Sequence, residues 1–333
     1  MINKTDDYLH FSITATGRCN ASCSYCHFYA KRPRQNMMYD INEYIFRYYI
    51  DLIKFIKEDI GQKKITYRLS GGEPLVMGDR VFEMSRYAYD RIGQKLNILT
   101  NGIALNDNII EKAKKNNVGA FIVSLENPFE VAEGAANPQN IVNKIIDFNS
   151  DELQVLPGIV IVSNKMFGEL EHICDYFYEN LGCIPPISEK TYAFYESPTQ
   201  KELEALKENV ANIVEKYSEK TNLELFPYII PEIINDGGNE YLVELDIEGN
   251  SIKETYNASY DYLMKKIKRS YPTVQCNKQC DWSEFCITRK WIWDYSTNDI
   301  NAETKREDYC LLKQSLCEGY LEGMLRIENK RKE

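Results

Sequence analysis

Three thiols fall within eight residues, Cys19-Asn-Ala-Ser-Cys23-Ser-Tyr25-Cys26, directly after a strand-like run from His10 to Ala15. Thiolates so closely spaced can hold a soft metal or an iron–sulfur cluster. On a four-iron cube, three protein thiolates would leave one iron open to a reacting molecule. Other chemistry shares the pattern. Cys23-Ser-Tyr-Cys26-His27 also reads as a haem-attachment stretch. Such attachment belongs outside the cytoplasmic membrane, whereas Met1 to Phe11 carries no apolar signal run. A Cys₃His zinc site could recruit His27, although adjacent Cys26 and His27 would strain a shared tetrahedron. A redox Cys-x-x-Cys pair would leave Cys19 unused. The segment alone leaves these readings open.

A second group of thiols lies far downstream: Cys276-x₃-Cys280-x₅-Cys286, then Cys310 and Cys317. By themselves they suit a structural Cys₄ zinc or a second cluster equally. The chain holds 10 cysteines, and only Cys174 and Cys183 fall between the two groups. Without a signal peptide a disulfide framework is not expected, because cytosolic thiols stay reduced. Cys174, beside Ile173 and Phe177, reads as a buried core thiol.

Positioning such groups takes a scaffold, and 333 residues with 44% hydrophobic and 27% charged content can build one. No apolar run approaches the roughly 18 residues of a spanning helix. A cytoplasmic protein without membrane contact is therefore expected. The net charge of −10 argues against a nucleic-acid partner, which needs a basic surface. It would suit a basic peptide, although acidity often means only solubility.

The elements alternate. Asp40 can cap a helix over 41–60, with Ile45, Tyr49, Leu52, Ile53 and Ile56 at helical spacing. A strand over 64–69 runs into Ser70-Gly71-Gly72-Glu73-Pro74-Leu75. A helix at 79–92 leads to strand 96–99 and Thr100-Asn101-Gly102; a helix at 106–116 leads to strand 120–123 and Ser124-Leu125-Glu126. A helix at 138–148 leads to strand 154–162 and Ser163-Asn164, and a helix at 166–181 leads to a sixth strand near 190–195. This grammar predicts an α/β fold of parallel βα units, six of which make an open, partial (β/α)₆ barrel. Chemistry in such folds gathers at the C-terminal ends of the strands, where all five motifs would line one mouth. Singly each motif has a plainer reading, as a glycine turn, a turn dipeptide or a helix cap.

Residues 10–195 resemble the radical S-adenosylmethionine (radical SAM) superfamily, through Cys19-x₃-Cys23-x₂-Cys26 with Tyr25 before the last Cys, and Gly71-Gly72-Glu73-Pro74 after the second strand. The resemblance implies a four-iron, four-sulfur cluster on Cys19, Cys23 and Cys26, with S-adenosylmethionine chelating the open iron. It implies that Gly71 to Pro74 receive the cofactor's amino group and that Ser124 and Glu126 meet the ribose. Glu126 stands where many members have Asp. Thr100, Asn101 and Asn164 are further expected cofactor contacts. The implied chemistry is reductive cleavage of the cofactor to a 5′-deoxyadenosyl radical, which takes hydrogen from a substrate C–H bond. Electrons would come from a flavodoxin or ferredoxin.

Residues 199–220 read as a charged amphipathic helix, and Leu223 to Ile234, broken by Pro227 and Pro231, as a linker or edge strand. Tyr241 to Thr255 alternates around Glu248-Gly249-Asn250 as a hairpin would, and a helix follows near 258–269. Hairpin, helix and Cys run resemble the C-terminal SPASM/Twitch extension of radical SAM enzymes. That resemblance implies one auxiliary four-iron cluster on Cys276, Cys280, Cys286 and Cys310, with Cys317 competing for the last place. Lys290 stands where the run's fourth Cys would fall, and no Cys follows the hairpin glycine, so the inner of two possible auxiliary clusters is expected to be lost. The implied domains are 1–222, the partial barrel, and 223–333, the auxiliary domain with a C-terminal helix.

The expected function is maturation of a ribosomally made peptide by crosslinking, epimerisation or oxidation. About ten residues precede the first strand, so a separate recognition protein is expected to deliver the peptide. The alternatives are a Twitch-type dehydrogenase or rearrangement enzyme acting on an aminocyclitol, sugar or nucleotide, and an electron-transfer scaffold without radical chemistry. Cys183 could return a hydrogen atom in an epimerase, but it precedes the sixth strand, at the end opposite the mouth.

Overall fold

The computed structural model describes residues 8–24, 26, 38–60, 65–189, 197–223, 225, 240–245, 273–274, 288–289 and 302–332. Six parallel strands alternate with helices: β1 Tyr8–Thr16, α1 Glu43–Ile60, β2 Ile65–Gly71, α2 Asp79–Ile92, β3 Leu96–Thr100, α3 Asp107–Lys115, β4 Val118–Glu126, α4 Pro138–Phe148, β5 Gln154–Val162, α5 Leu170–Leu181 and β6 Ile187–Glu189. There follow α6 Gln200–Tyr217, β7 Glu240–Leu245, the short pair β8 Thr273–Val274 and β9 Thr288–Arg289, and α7 Ala302–Lys332. The strands run β6-β5-β4-β3-β2-β1-β7, an open sheet of the expected α/β class. No described helix is long and apolar enough to cross a membrane.

Packing divides the chain into two compact units. The first holds residues 1–124, 133–158 and 237–271; the second holds 125–132, 159–236 and 272–333. In the first, alternate residues of the strands are buried, as in Phe11, Ile13 and Ala15 of β1 and Ile65, Tyr67 and Leu69 of β2. Helix α1 lays Phe46, Tyr49, Ile50, Ile53 and Ile56 into this core, the spacing of one helical stripe. Each fully buried isoleucine contributes about 2 kcal/mol.

Asp40 does not cap α1. Asn42 takes that place, its side chain accepting the Tyr44 N–H (2.8 Å) and its carbonyl the Phe46 N–H (3.0 Å). The first arm of the expected hairpin, β7, pairs in parallel with β1, Tyr8 opposite Glu240 through Ile13 opposite Leu245. The sheet thereby covers an edge of β1 that would otherwise expose unpaired backbone. The second arm of the hairpin and the helix near 258–269 lie outside the described residues.

In the second unit the sixth strand begins earlier than the sequence suggests, at Ile187, where Val160 of β5 pairs with it and the Val160 N–H also reaches the Pro186 carbonyl (2.7 Å). Ile187 and Ser188 are buried there, and residues 190–196 lie outside the described set. Leu225, in the expected edge-strand stretch, bridges in parallel to Ile187. The helix expected from 166 starts as a 3₁₀ turn, Asn164–Glu169, before α5. Helix α6 opens on a capping box of Thr199 and Glu202. Helix α7 crosses α6 at Gly319 and Gly323, where an added Cβ would lie 2.6 Å from the Lys207 carbonyl oxygen and 2.7 Å from that of Ala211. Only glycine permits backbones this close.

Candidate active site

The loop carrying Cys19, Cys23 and Cys26 leaves the C-terminal end of β1, and all three thiols are partly exposed. Its start is held from two sides. The Gly17 N–H donates to the Tyr39 carbonyl (2.9 Å) and the Ile41 N–H to that of Ala15 (2.8 Å). Between them, Asp40 accepts from Arg18 Nε (2.9 Å), from a terminal nitrogen of Arg18 (2.7 Å) and from the buried Thr16 hydroxyl (2.7 Å). Burial pushes the Asp40 carboxyl up, but the bonds from Arg18 and Thr16 and the charges of Arg18 and Arg80 outweigh it and hold the group below its ordinary value. Arg18, adjacent to Cys19 in the first motif, is thus a clamp on the loop.

From the other side comes the end of β2. The Gly72 N–H donates to the Thr16 carbonyl (2.8 Å) and the Glu73 N–H to the Arg18 carbonyl (2.7 Å). A Cβ on Gly71 would lie 2.3 Å from the Thr16 carbonyl oxygen, and one on Gly72 2.2 Å from that of Arg18. Gly71 also sits at φ +123°, which disfavours a side chain independently. The two glycines are there because the strand end must abut the Cys loop. With the Gly72 and Glu73 N–H groups committed, carbonyl oxygens are what this stretch can offer a ligand.

Glu73 turns inward and is fully buried. Its Oε1 accepts from the Leu75 N–H (2.9 Å) and the Thr100 hydroxyl (2.8 Å), and its Oε2 from the Asn101 N–H (2.6 Å). Burial pushes this carboxyl up, and the three donors work against that push. Glu73 therefore ties the β2 end to the β3 end, and Pro74 opens a buried 3₁₀ turn behind it. Thr100 is spent on this tie. Asn101 reaches the other way: its Nδ2 donates to Asn20 Oδ1 (2.8 Å) and to Cys19 Sγ (3.7 Å), while its Oδ1 accepts the Ile103 N–H (3.0 Å). Cys19 Sγ also receives the Ala21 N–H (3.4 Å). Lys144 of α4 donates to the carbonyls of Gly102 (3.2 Å) and Ile103 (2.7 Å) and so pins the same turn.

The middle of the Cys loop rests on a segment that the sequence analysis did not single out. Ser22 N–H donates to the Gly134 carbonyl (2.9 Å) and Ser24 N–H to that of Glu133 (3.2 Å). Gly134 sits at φ +74°, and a Cβ there would lie 2.3 Å from Ser22 Oγ and 2.6 Å from its carbonyl oxygen. Ser124, half-buried, stands near the end of β4 in the same unit.

In the second unit, Glu126 ends β4 and accepts the Ala132 N–H (3.4 Å), and Asn164 is buried at the start of the turn after β5. Glu130 holds the preceding residue there, accepting the Ser163 hydroxyl at 2.7 Å. Cys310 is partly exposed on α7 and Cys317 is buried two turns further along. Cys183 lies between α5 and β6, with burial pushing its thiol up. Tyr25, Cys276, Cys280 and Cys286 lie outside the described residues.

Among the described residues no three His, Cys, Asp or Glu side chains come close enough together to hold a metal ion. The structure places the three thiols on one anchored loop without drawing them into such a group. The donor set itself fits an iron–sulfur cluster: three thiols, one of them already receiving two N–H groups, as sulfur ligands of such clusters do.

Residues 13–169 match the family model described as the radical SAM superfamily. In sequence, the chain is 27% identical over 217 residues to a probable GTP 3′,8-cyclase of Methanocaldococcus jannaschii, covering 63% of this chain and 66% of that protein. It is 40% identical over 96 residues to a probable GTP 3′,8-cyclase of Methanothermobacter marburgensis, 28% of each chain. The chain thus matches less than two thirds of the length of these curated relatives. In structure, it is similar to native anSMEcpe with bound AdoMet, at 15% identity and a TM-score of 0.67, covering 96% of this chain and 98% of that one. The same protein with bound AdoMet and Cp18Cys peptide gives a TM-score of 0.64 at the same identity and coverage. The Cys loop, the glycines that meet it and strands β2 to β5 all fall within residues 13–169, the stretch over which the chain is similar to the radical SAM superfamily.

Proposed function

We propose that this chain is a radical SAM enzyme whose substrate is a ribosomally made peptide. The observation that carries the substrate reading is the extent of the fold likeness. Similarity to a protein solved with a bound peptide extends over 96% of the chain, well beyond residues 13–169, whereas the sequence likeness to GTP cyclases stops at 63%. Charge supports it. A nucleoside triphosphate is best met by available arginine or lysine, yet Arg18, next to Cys19, is engaged by Asp40, and the chain carries a net charge of −10.

Cys19, Cys23 and Cys26 would hold the cluster, and Gly71 to Pro74, Thr100, Asn101, Ser124, Glu126 and Asn164 are the proposed surroundings of S-adenosylmethionine. Bound there, the cluster would supply the electron for reductive C–S cleavage of S-adenosylmethionine, and the cofactor would supply the means of taking hydrogen from the substrate. The protein's own work is positional. Asp40, Gly72 and Gly134 hold the Cys loop at its start and middle. With the Gly72 and Glu73 N–H groups committed to that loop, the carbonyl oxygens of the stretch are the natural acceptors for a cofactor ammonium. Cys276, Cys280, Cys286 and Cys310 are proposed to hold an auxiliary cluster, with a flavodoxin or ferredoxin as reductant. Anaerobic reconstitution is then expected to load about eight iron atoms per chain rather than about four.

A second reading, action on a nucleotide, is favoured by the names of the sequence relatives. One experiment separates the two. The reconstituted chain is incubated anaerobically with S-adenosylmethionine, reductant and either GTP or short peptides encoded beside its gene. The peptide reading expects 5′-deoxyadenosine formation to rise with a peptide whose mass or retention changes. Consumption of GTP in step with 5′-deoxyadenosine, with every peptide unaltered, would replace it with the nucleotide reading. No 5′-deoxyadenosine under any condition would leave only an electron-transfer scaffold.

A further inference from the structure

We infer that the Asn101 carboxamide is a hydrogen-bond donor to the Cys19 sulfur that raises the reduction potential of the cluster this loop would hold, so that Asn101 acts as a positioning and tuning residue. The inference rests on the radical SAM reading and adds to it.

The orientation of the amide is fixed by its partners. Oδ1 accepts the Ile103 N–H at 3.0 Å, so Nδ2 must face the opposite way, where Asn20 Oδ1 takes one hydrogen at 2.8 Å and Cys19 Sγ the other at 3.7 Å. A flipped amide would set its NH₂ against the Ile103 N–H and its oxygen against Asn20 Oδ1, losing both bonds. The residue cannot drift, because each side of its turn is anchored. Its own N–H is bound by the buried Glu73 carboxylate at 2.6 Å, and the carbonyls of Gly102 and Ile103 are bound by Lys144. Gly102 at φ +73° completes the turn, with space for no Cβ between Val123 and Ile141. A side chain this constrained, aimed at a ligand sulfur, is built to act on that sulfur.

The direction of the effect follows from charge. A reduced cluster carries one more negative charge than an oxidised one, and part of it resides on the ligand sulfurs. A donor at the sulfur stabilises the reduced form more, so hydrogen bonds to sulfur set the potential. Removing the donor lowers it. The Ala21 N–H at 3.4 Å remains in every variant, so the loss is partial.

The test is a redox titration of the reconstituted full chain, followed by electron paramagnetic resonance without S-adenosylmethionine, reading the signal that Cys19→Ala abolishes. At the wild-type midpoint, Asn101→Ala is expected to lower the ratio of reduced to oxidised cluster about tenfold, or about 59 mV for one electron. Asn101→Asp keeps an oxygen for the Ile103 N–H but presents another to Cys19, and is expected to fall further. Asn20→Ala leaves the donor but frees its orientation, and is expected to fall less. An unchanged midpoint in Asn101→Ala with full iron content overturns the inference, as a mere cofactor contact predicts. If Asn101→Ala fails to hold iron, Asn20→Ala decides, and an unchanged midpoint there overturns it equally. A wild type that binds no iron defeats the radical SAM reading itself, a distinguishable result.

Discussion

Replacing Gly72 by alanine tests whether the glycine pair serves the Cys loop by shape. The new Cβ would stand 2.2 Å from the Arg18 carbonyl oxygen and 2.8 Å from its carbon, both backbone atoms that no rotamer change can move aside. Carbon–carbon contacts settle at about 3.5–4.0 Å, so the β2 end and the Cys loop must part by roughly 1 Å. That separation breaks the bonds from the Gly72 N–H to Thr16 and from the Glu73 N–H to Arg18, now 2.8 and 2.7 Å long. Two buried backbone donors lost at about 1–2 kcal/mol each give a cost of about 2–4 kcal/mol. At about 2 °C per kcal/mol for a chain of this size, the melting midpoint should fall by roughly 4–8 °C. The assay is thermal melting by circular dichroism, paired with iron analysis after anaerobic reconstitution, where loading should fall as well. Gly168→Ala is the control, since its Cβ meets only Ala205 at an ordinary 3.8 Å and should change the midpoint by less than about 1 °C. Gly72→Ala melting with the wild type and binding its full iron would show that the close approach carries no weight.

Asp40→Asn weakens the half-exposed Arg18 pair and should cost about 1 kcal/mol after allowance for solvent. The Asp40 carboxyl is held below its ordinary value of about 3.9, so its contribution is full above that pH and fades as pH falls through the lowered value. The difference in urea midpoint between wild type and Asp40→Asn should therefore shrink below about pH 4, and a constant difference would remove the clamp's ionic character. Gly134→Ala should cost about 2 kcal/mol and lower iron loading, because strain at φ +74° adds to the contact with Ser22. Gly93→Ala, at φ +72° with nothing within 4 Å, should show the conformational cost of about 1 kcal/mol alone and leave loading intact. In α7, Gly319→Ala would gain about 1 kcal/mol in an isolated helix. Here it meets the Lys207 carbonyl at 2.6 Å, and a fall rather than a rise in melting midpoint is the expected sign.

The alternation of strands and helices was legible because each apolar run is long and each turn motif marks a strand end. The start of the sixth strand was not. Lys190 to Tyr195 has the stronger β character, and it drew attention from the three residues after Pro185-Pro186 that pair with β5. Asp40 was legible as a carboxylate before a helix, but a cap and an ion-pair partner look alike until Arg18 arrives from 22 positions away. The Gly71-Gly72 pair stood out as a motif, while its steric reason lies in Thr16 at the end of β1 and Arg18 in the loop that follows it. Gly134 gave no signal, lying in an ordinary Glu-Gly-Ala-Ala loop, and Lys144 looked like any surface lysine on an amphipathic helix. Asn101 was picked out for the correct turn, but its hold on Cys19 and Asn20 needs three dimensions. Cys276, Cys280 and Cys286 fall outside the described residues, so the auxiliary site stands as a proposal.

The pairing of β7 with β1 sets an order in time. Tyr8 meets Glu240, its partner 232 positions later. At synthesis rates of roughly 5–20 residues per second, about 12–46 s separate the emergence of the two strands. For most of that interval, once β2 is made, the strand bearing the Cys loop has β2 on one side and an open edge on the other, a template for pairing with neighbouring chains. A nascent chain kept from strand exchange during that window, by a chaperone or by dilution, should yield more protein able to take up iron. Expression slowed after residue 71, with β2 made and β7 still to come, should yield less.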